Sequence, residues 1–143
     1  MEWFVRAFIK ASLAWLGLGV TLGVAMAAQP AWIVYRPAHV HMNLLGFVTM
    51  MIYGVAYHVL PRFSGHPLHR RGLAGAHWVL ANLGLATMVA GFSLQPHLGA
   101  RAIPILAAGG TLSALGAYLF IFNIWRTISE PAPRPMPLPV VRR

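Results

Sequence analysis

The residues of this chain that could carry chemistry are histidines and methionines. The sequence contains seven of each, no cysteine and only two carboxylate side chains, Glu2 and Glu130. Hydrolysis and acid–base catalysis need carboxylate pairs or a nucleophile beside its base, and neither pattern is present. Imidazole ligates haem iron and copper, and a thioether favours copper(I) or an axial position on haem. The composition therefore favours haem or copper binding, while the lack of cysteine excludes disulfides, thiolate metal sites and haem attached through cysteine.

Three of the histidines lie in one apolar stretch, 36–65: His39 and His41 at its beginning and His58 near its end. Ionisable or metal-ligating groups inside a membrane segment are costly, so such positions are functional candidates by default. On a helix with a rise of 1.5 Å per residue, His41 and His58 are about 25 Å apart. They cannot ligate one metal within one chain.

Four windows without Asp, Glu, Lys or Arg must position these residues: 11–35, 37–61, 72–100 and 102–125. A membrane-spanning helix needs about 20 mainly apolar residues, and each window is longer. The sequence therefore predicts an all-α membrane protein, a four-transmembrane-helix bundle over 1–130 with spans at about 8–28, 38–60, 76–94 and 103–125. The first run is too long for a signal peptide and is interpreted as a retained span. Residues 131–143, rich in proline and arginine, are expected to form an extended cytoplasmic tail.

The net charge of +9 is distributed unevenly along these spans. With the N-terminus inside, the outer side receives only Arg36 and Arg101. The inner side receives nine basic residues: Arg6, Lys10, Arg62, Arg70, Arg71, Arg126, Arg134, Arg142 and Arg143. This bias predicts that both termini are cytoplasmic in a multi-pass protein of the bacterial inner membrane. The cations then face anionic lipid headgroups, and nucleic acid is not an expected partner.

Antiparallel neighbouring helices bring residues of equal depth together. On the inner side this places His58 level with His77, and on the outer side it places His39 and His41 level with His97. Each level could offer two imidazoles to one iron. The alternative is that histidines at the membrane interface hydrogen-bond to water, headgroups or backbone carbonyls.

Glycines recur every seven residues after His77, at Gly84 and Gly91. One explanation of this face is room for a flat macrocycle above His77. The other is close packing of a neighbouring helix, which is the usual role of small residues in membranes. The sequence leaves both open.

A family resemblance rests on the same stretch. Arg36 and Pro37 are followed by His41, Met42 and Asn43, and the span ends in YHVLP at 57–61. This pattern resembles the second transmembrane helix of haem-copper oxidase subunit I, and most closely its cbb3-type and nitric-oxide-reductase branch. The resemblance implies that the helix runs from outside to inside and that His41 ligates a low-spin haem. Arg36 is then expected near the haem propionates, since a guanidinium pairs bidentately with carboxylate.

The resemblance does not extend to the catalytic centre of that family. The later helices that carry its remaining haem and copper ligands have no counterpart here, and the sequence contains no adjacent histidine pair for a copper-B site. Oxygen or nitric-oxide reduction by this chain alone is therefore not expected. The length fits short stand-alone proteins that resemble subunit I.

The sequence thus leads to one main hypothesis and two alternatives. The main one is a membrane protein that binds one or two haem b groups and acts in electron transfer, haem handling or gas sensing, as a homo-oligomer or within a larger respiratory complex. Its candidate metal ligands are His41, His58 and His77. One alternative is a structural or assembly subunit without a cofactor. The other is copper binding through His39, His41 and Met42.

Overall fold

The computed structural model describes residues 1–129, and that part of the chain is almost entirely helical, without a β-strand. The elements are α1 (Trp3–Ala28), a 3-10 turn (Pro30–Tyr35), α2 (Arg36–His41), a π-helical segment (Met42–Thr49), α3 (Met50–Ser64), α4 (Arg71–Leu98), a second 3-10 turn (Gly99–Ala102) and α5 (Ile103–Ile128). The predicted all-α fold class is confirmed. The predicted tail, 131–143, lies outside the described residues.

Three stretches between residues 1 and 129 are long and apolar enough to cross a membrane: Trp3–Ala28, Pro30–Ser64 and Arg71–Ile128. The third contains both α4 and α5. The chain is therefore a multi-pass membrane protein, and the number of four spans and their orientation stay predictions.

Local signals explain where the helices end. α1 ends before Gln29, which is extended (φ −127°) because the following proline disfavours a helical conformation. α3 ends at Gly65, which takes a left-handed conformation (φ 72°). There the His66 N–H donates to the Pro61 carbonyl at 3.1 Å and the Gly65 N–H to the Arg62 carbonyl at 3.4 Å. These are the two bonds of a Schellman motif.

The helices extend beyond the predicted spans. Pro61 and Pro96, which lie just beyond the predicted spans 38–60 and 76–94, are inside α3 and α4. Both prolines are near the end of their helix, where few later turns depend on the hydrogen bonds that proline disrupts. The chain reverses instead at the two glycines with positive φ, Gly65 and Gly99 (φ 55°).

α2, the π-helical segment and α3 follow one another without a break and pack antiparallel to α1. Gly19 of α1 adjoins Asn43, Gly23 adjoins His39, and Phe8 adjoins Gly54. α4 and α5 form a second antiparallel pair, in which Gly84 adjoins Ser113 and Gly91 adjoins Leu106. The buried side chains shared by these pairs include Phe4, Phe8, Met50, Leu85 and His77.

Contacts between helix ends define two ends of the bundle. At one end Arg71 forms an ion pair with Glu2 at 3.1 Å, and the His69 N–H donates to the Thr127 hydroxyl at 3.0 Å. Arg62 lies there in the last turn of α3. We therefore call this the Arg62 end, and it is the predicted inner side. At the opposite end, the Arg36 end, the Tyr35 hydroxyl lies 3.0 Å from His97 Nε2.

Candidate functional site

His39, at the Arg36 end, is directed into the interface with α1. Its Nδ1 lies 2.8 Å from the Gly19 carbonyl oxygen, and its ring covers the space over Gly23. Since a carbonyl only accepts, Nδ1 carries the proton. The Asn43 amide donates to the His39 carbonyl at 2.8 Å and holds the same turn. His39 is therefore part of the packing between α1 and α2.

His41, two residues later, points to a different helix. Its ring lies against Phe92 of α4, with 4.5 Å between the ring centroids. Its Nδ1 donates to the Pro37 carbonyl at 2.8 Å, so the lone pair is on Nε2. A neutral imidazole whose Nδ1–H is held by a backbone carbonyl is the arrangement that suits metal ligation through Nε2.

His97 lies on the same side of the bundle as His41. It is near the end of α4, is exposed, and hydrogen-bonds with Tyr35, which directly precedes α2. The structure thus brings His41 and His97 to the junction of α2 and α4 and turns His39 away to α1. Arg36, the predicted partner of haem propionates, is exposed at the first residue of α2.

His77, at the Arg62 end, is completely buried. The Tyr57 hydroxyl lies 3.1 Å from its Nδ1. The rings of Phe8, Tyr53 and Phe120 surround it, with centroid distances of 4.8, 4.4 and 5.6 Å. Its Nε2 is buried without a hydrogen-bond partner. Such atoms are rare in folded proteins, and this one makes His77 the histidine whose second nitrogen is least explained by packing.

His58, the predicted partner of His77, makes a different contact. Arg62 Nη1 donates to His58 Nδ1 at 3.0 Å and also to the His58 carbonyl. Because arginine has no acceptor, Nδ1 of His58 accepts and its Nε2 carries the proton. This is the opposite tautomer to that of His39 and His41. The residue that contacts His77 is Tyr57, which precedes His58 in the sequence.

The space above His77 that a macrocycle would need is filled. A Cβ added to Gly84 would lie 2.5 Å from the Ser113 backbone nitrogen, and one added to Gly91 would lie 2.7 Å from Leu106 Cδ2. Of the two explanations for the glycine face, room for a macrocycle is wrong and close helix packing is right. The glycines allow α5 to approach α4.

Sequence reasoning missed two features of these sites. The π-helical segment begins directly after His41, and the Thr49 hydroxyl donates to the Leu44 carbonyl within it at 2.8 Å. π segments are frequent at functional sites, but no residue pattern in the sequence marks this one. The second feature is the contact of Tyr57 with His77. Tyr57 precedes His58 in the sequence, but tertiary packing decides which of the two side chains points to His77.

No group of three or more His, Asp or Glu side chains within residues 1–129 is close enough to hold a metal ion. A haem needs only one or two axial imidazoles, so it asks for fewer protein ligands than a metal ion held by several side chains.

Comparison with known proteins identifies the relatives of the chain. It is 26% identical, over an alignment of 159 residues including gaps, to the cbb3-type cytochrome c oxidase subunit CcoN1 of Stutzerimonas stutzeri. It is 31% identical over 132 residues to the putative cytochrome c oxidase subunit 1-beta of Streptomyces coelicolor. The chain is thus similar to part of two cytochrome c oxidase subunits. No family model matches it.

The relationship covers most of this chain but a small part of either relative. The aligned region is 90% of this chain and 34% of CcoN1, and 77% of this chain and 22% of the Streptomyces protein. The predicted resemblance to oxidase subunit I is thus confirmed. Both relatives are named as subunits of cytochrome c oxidases, and this subunit I-like chain spans about a third of the first and about a fifth of the second.

Proposed function

We propose that this protein binds haem b at the Arg36 end of the bundle and acts in electron transfer, haem handling or gas sensing. The observation that carries the proposal is the 2.8 Å contact of His41 Nδ1 with the Pro37 carbonyl. Since the carbonyl only accepts, this contact assigns the proton to Nδ1 and leaves the lone pair on Nε2. The kinship with oxidase subunit I supports haem as the group that this nitrogen would bind.

The residues around His41 fit one axial ligand. Pro37 fixes the ring orientation and Phe92 packs on its face, so little side-chain entropy is lost on ligation. Arg36, one turn earlier, would pair with a propionate. When bound, the haem iron supplies one-electron exchange or gas binding. The protein orients the imidazole.

The second axial ligand would be His97, His39 or a histidine of a second subunit. His97 lies on the same side of the bundle as His41 and is held by one hydrogen bond, to the Tyr35 hydroxyl. His39 would have to leave the Gly19 carbonyl and the space over Gly23. Among the residues of one chain, His97 is thus the better candidate.

A second haem between His58 and His77 stays a prediction. It would use His77 Nε2, which is buried without a hydrogen-bond partner while Nδ1 stays with Tyr57. It would also require His58 to change its tautomer and leave Arg62. The haem content of His77→Ala tests it. If this variant keeps every haem of the native protein, His77 is not a haem ligand and the second site does not exist.

The outer site is tested by the oxidised and reduced absorption spectra of the purified protein and of His41→Ala. We expect a b-type spectrum in the native protein, and loss or a clear shift of that spectrum in the variant. His58→Ala is the matched control, because it removes an imidazole at the opposite end of the same helical stretch. An unchanged spectrum and haem content in His41→Ala would remove His41 as a ligand.

We also propose four spans in the bacterial inner membrane, with both termini on the cytoplasmic side. The support is the excess of basic residues at the Arg62 end and the contacts that bring Glu2, Arg71 and Thr127 to that end. Reporter fusions at Arg143 should register a cytoplasmic C-terminus. A periplasmic signal would contradict the arrangement.

The second candidate function is a subunit without a cofactor that packs against a larger respiratory complex. It is favoured by the partners that His39, His58 and His97 already have within the chain. Native protein that folds stably, purifies colourless and does not take up added haem would select it over haem binding.

A further inference from the structure

A pocket of about 400 Å³ opens at the Arg62 end, between the start of α1, the end of α3 and the start of α4. Its lining includes Glu2, Phe4, Tyr57, Arg62, Leu68 and Arg71. The volume falls within the usual range for small-molecule sites, about 300–1,000 Å³. The haem proposal does not use this pocket.

The charged groups of the pocket are mainly cationic. Arg62 and Arg71 stand against one carboxylate, Glu2, and His66 adds an imidazole. The Arg62 guanidinium is fixed on its own helix by its bonds to the Nδ1 and carbonyl of His58. Arg71 pairs with Glu2 while 73% of its side chain remains exposed. Two guanidinium groups held at one opening form a site for phosphate or carboxylate.

The remainder of the lining is apolar. Phe4 and Tyr57 are almost completely buried, and Pro61 and Leu68 complete this part of the wall. A free inorganic anion would gain nothing from these side chains, whereas an amphiphile with an anionic head and an apolar body would contact both parts. The pocket also lies at the end of long apolar helices, where lipid headgroups meet the protein.

We propose that this pocket binds the phosphate headgroup of an anionic lipid. The two arginines take the phosphate, and the apolar wall takes the beginning of the acyl region. Glu2 competes with the phosphate for Arg71, because both are anions that pair with the same guanidinium. The carboxylate of Glu2 therefore weakens lipid binding in the native chain.

Two neighbouring arginines provide a matched test. Arg71 lines the pocket, whereas Arg70, which carries the same charge at the preceding position, does not. The Arg70 backbone is held by Asn123, which accepts from its N–H at 3.0 Å and donates to its carbonyl at 2.9 Å. Arg71→Gln should weaken binding of a short-chain phosphatidylglycerol about tenfold, and Arg70→Gln should leave it within about twofold. Glu2→Gln should strengthen it.

The measurement is titration of the purified full-length protein with the lipid in detergent, with phosphatidylcholine of equal chain length and inorganic phosphate as comparison probes. Circular dichroism of each variant checks that it is folded, and Arg71→Lys should recover part of the affinity. Equal losses of lipid affinity in Arg70→Gln and Arg71→Gln would show that the lipid is attracted by the basic surface in general, and would overturn binding in this pocket. Equal affinity for phosphatidylcholine or for inorganic phosphate, or no binding of phosphatidylglycerol, would overturn the lipid assignment.

Discussion

The two antiparallel helix pairs of this bundle use glycine for different purposes. Between α4 and α5, Cβ atoms added to Gly84 and Gly109 would each lie 2.5 Å from a backbone nitrogen of the other helix. Between α1 and its neighbour, Cβ atoms added to Gly19 and Gly23 would meet side chains, at 2.6 Å from Asn43 Nδ2 and 2.8 Å from His39 Cε1. The first pair brings two backbones into contact, and the second makes room for side chains.

This difference separates a rigid half of the bundle from an adjustable one. A backbone atom in a packed helix cannot move without moving the helix, whereas a side chain can change its rotamer. The adjustable pair carries His39 and Asn43, which flank His41 in sequence. The orientation of α2, and with it the direction of His41, therefore depends on the interface that tolerates change.

The largest effect is expected from Gly84→Ala or Gly109→Ala. Each added methyl would overlap a backbone nitrogen, so α4 and α5 must separate or shift. We expect a loss of stability of at least about 2 kcal/mol, at the upper part of the range for overpacked sites. Thermal unfolding followed by circular dichroism in detergent would measure it as a lower Tm.

A second substitution checks the cause of that loss. Ser113→Gly removes the side chain near Gly84 but leaves the backbone nitrogen at 2.5 Å, so Gly84→Ala combined with Ser113→Gly should stay destabilised. Recovery of native stability in the double variant would mean that the hydroxyl, and not the backbone, is the obstacle.

The all-α fold class could be predicted because long apolar windows leave few other structures in a membrane. The sequence also predicted which histidines share an end, since depth follows from residue count along antiparallel helices. The sequence did not predict that His39 points to α1 and His41 to α4. It also did not predict that His77 is contacted by Tyr57 and not by His58. Those directions depend on helix rotation, and the π segment after His41 changes the helical phase in a way that a constant 100° per residue does not capture.

A smaller effect is expected from Gly23→Ala. The added methyl would meet the His39 ring at Cε1, and the ring can turn at the cost of its hydrogen bond to the Gly19 carbonyl. The expected loss is about 1 kcal/mol, the usual contribution of one such bond. Tm in detergent, measured under the same conditions as for Gly84→Ala, would rank the two interfaces.

Removing the His39 ring should reduce the loss of stability at the interface of α1 and α2 only. Gly23→Ala should cost less stability in a His39→Ala background than in the native chain, which is a coupling that a double-mutant cycle measures. Additive losses would show that the methyl disturbs the backbone of α2, and the distinction between the rigid and adjustable pairs would fail.

The smallest effect is expected from glycines that are next to those contacts but make none. A Cβ added to Gly110 or Gly17 would have no atom within 4 Å, so Gly110→Ala and Gly17→Ala should change stability by no more than about 0.5 kcal/mol, with a slight gain where alanine's higher helix propensity contributes. Tm of these variants would separate two explanations of the losses above. If Gly110→Ala were as damaging as Gly109→Ala, glycine would be needed for helix flexibility along this stretch rather than for one contact. If Gly110→Ala is neutral, the loss in its neighbour arises from the approach of α5 to α4.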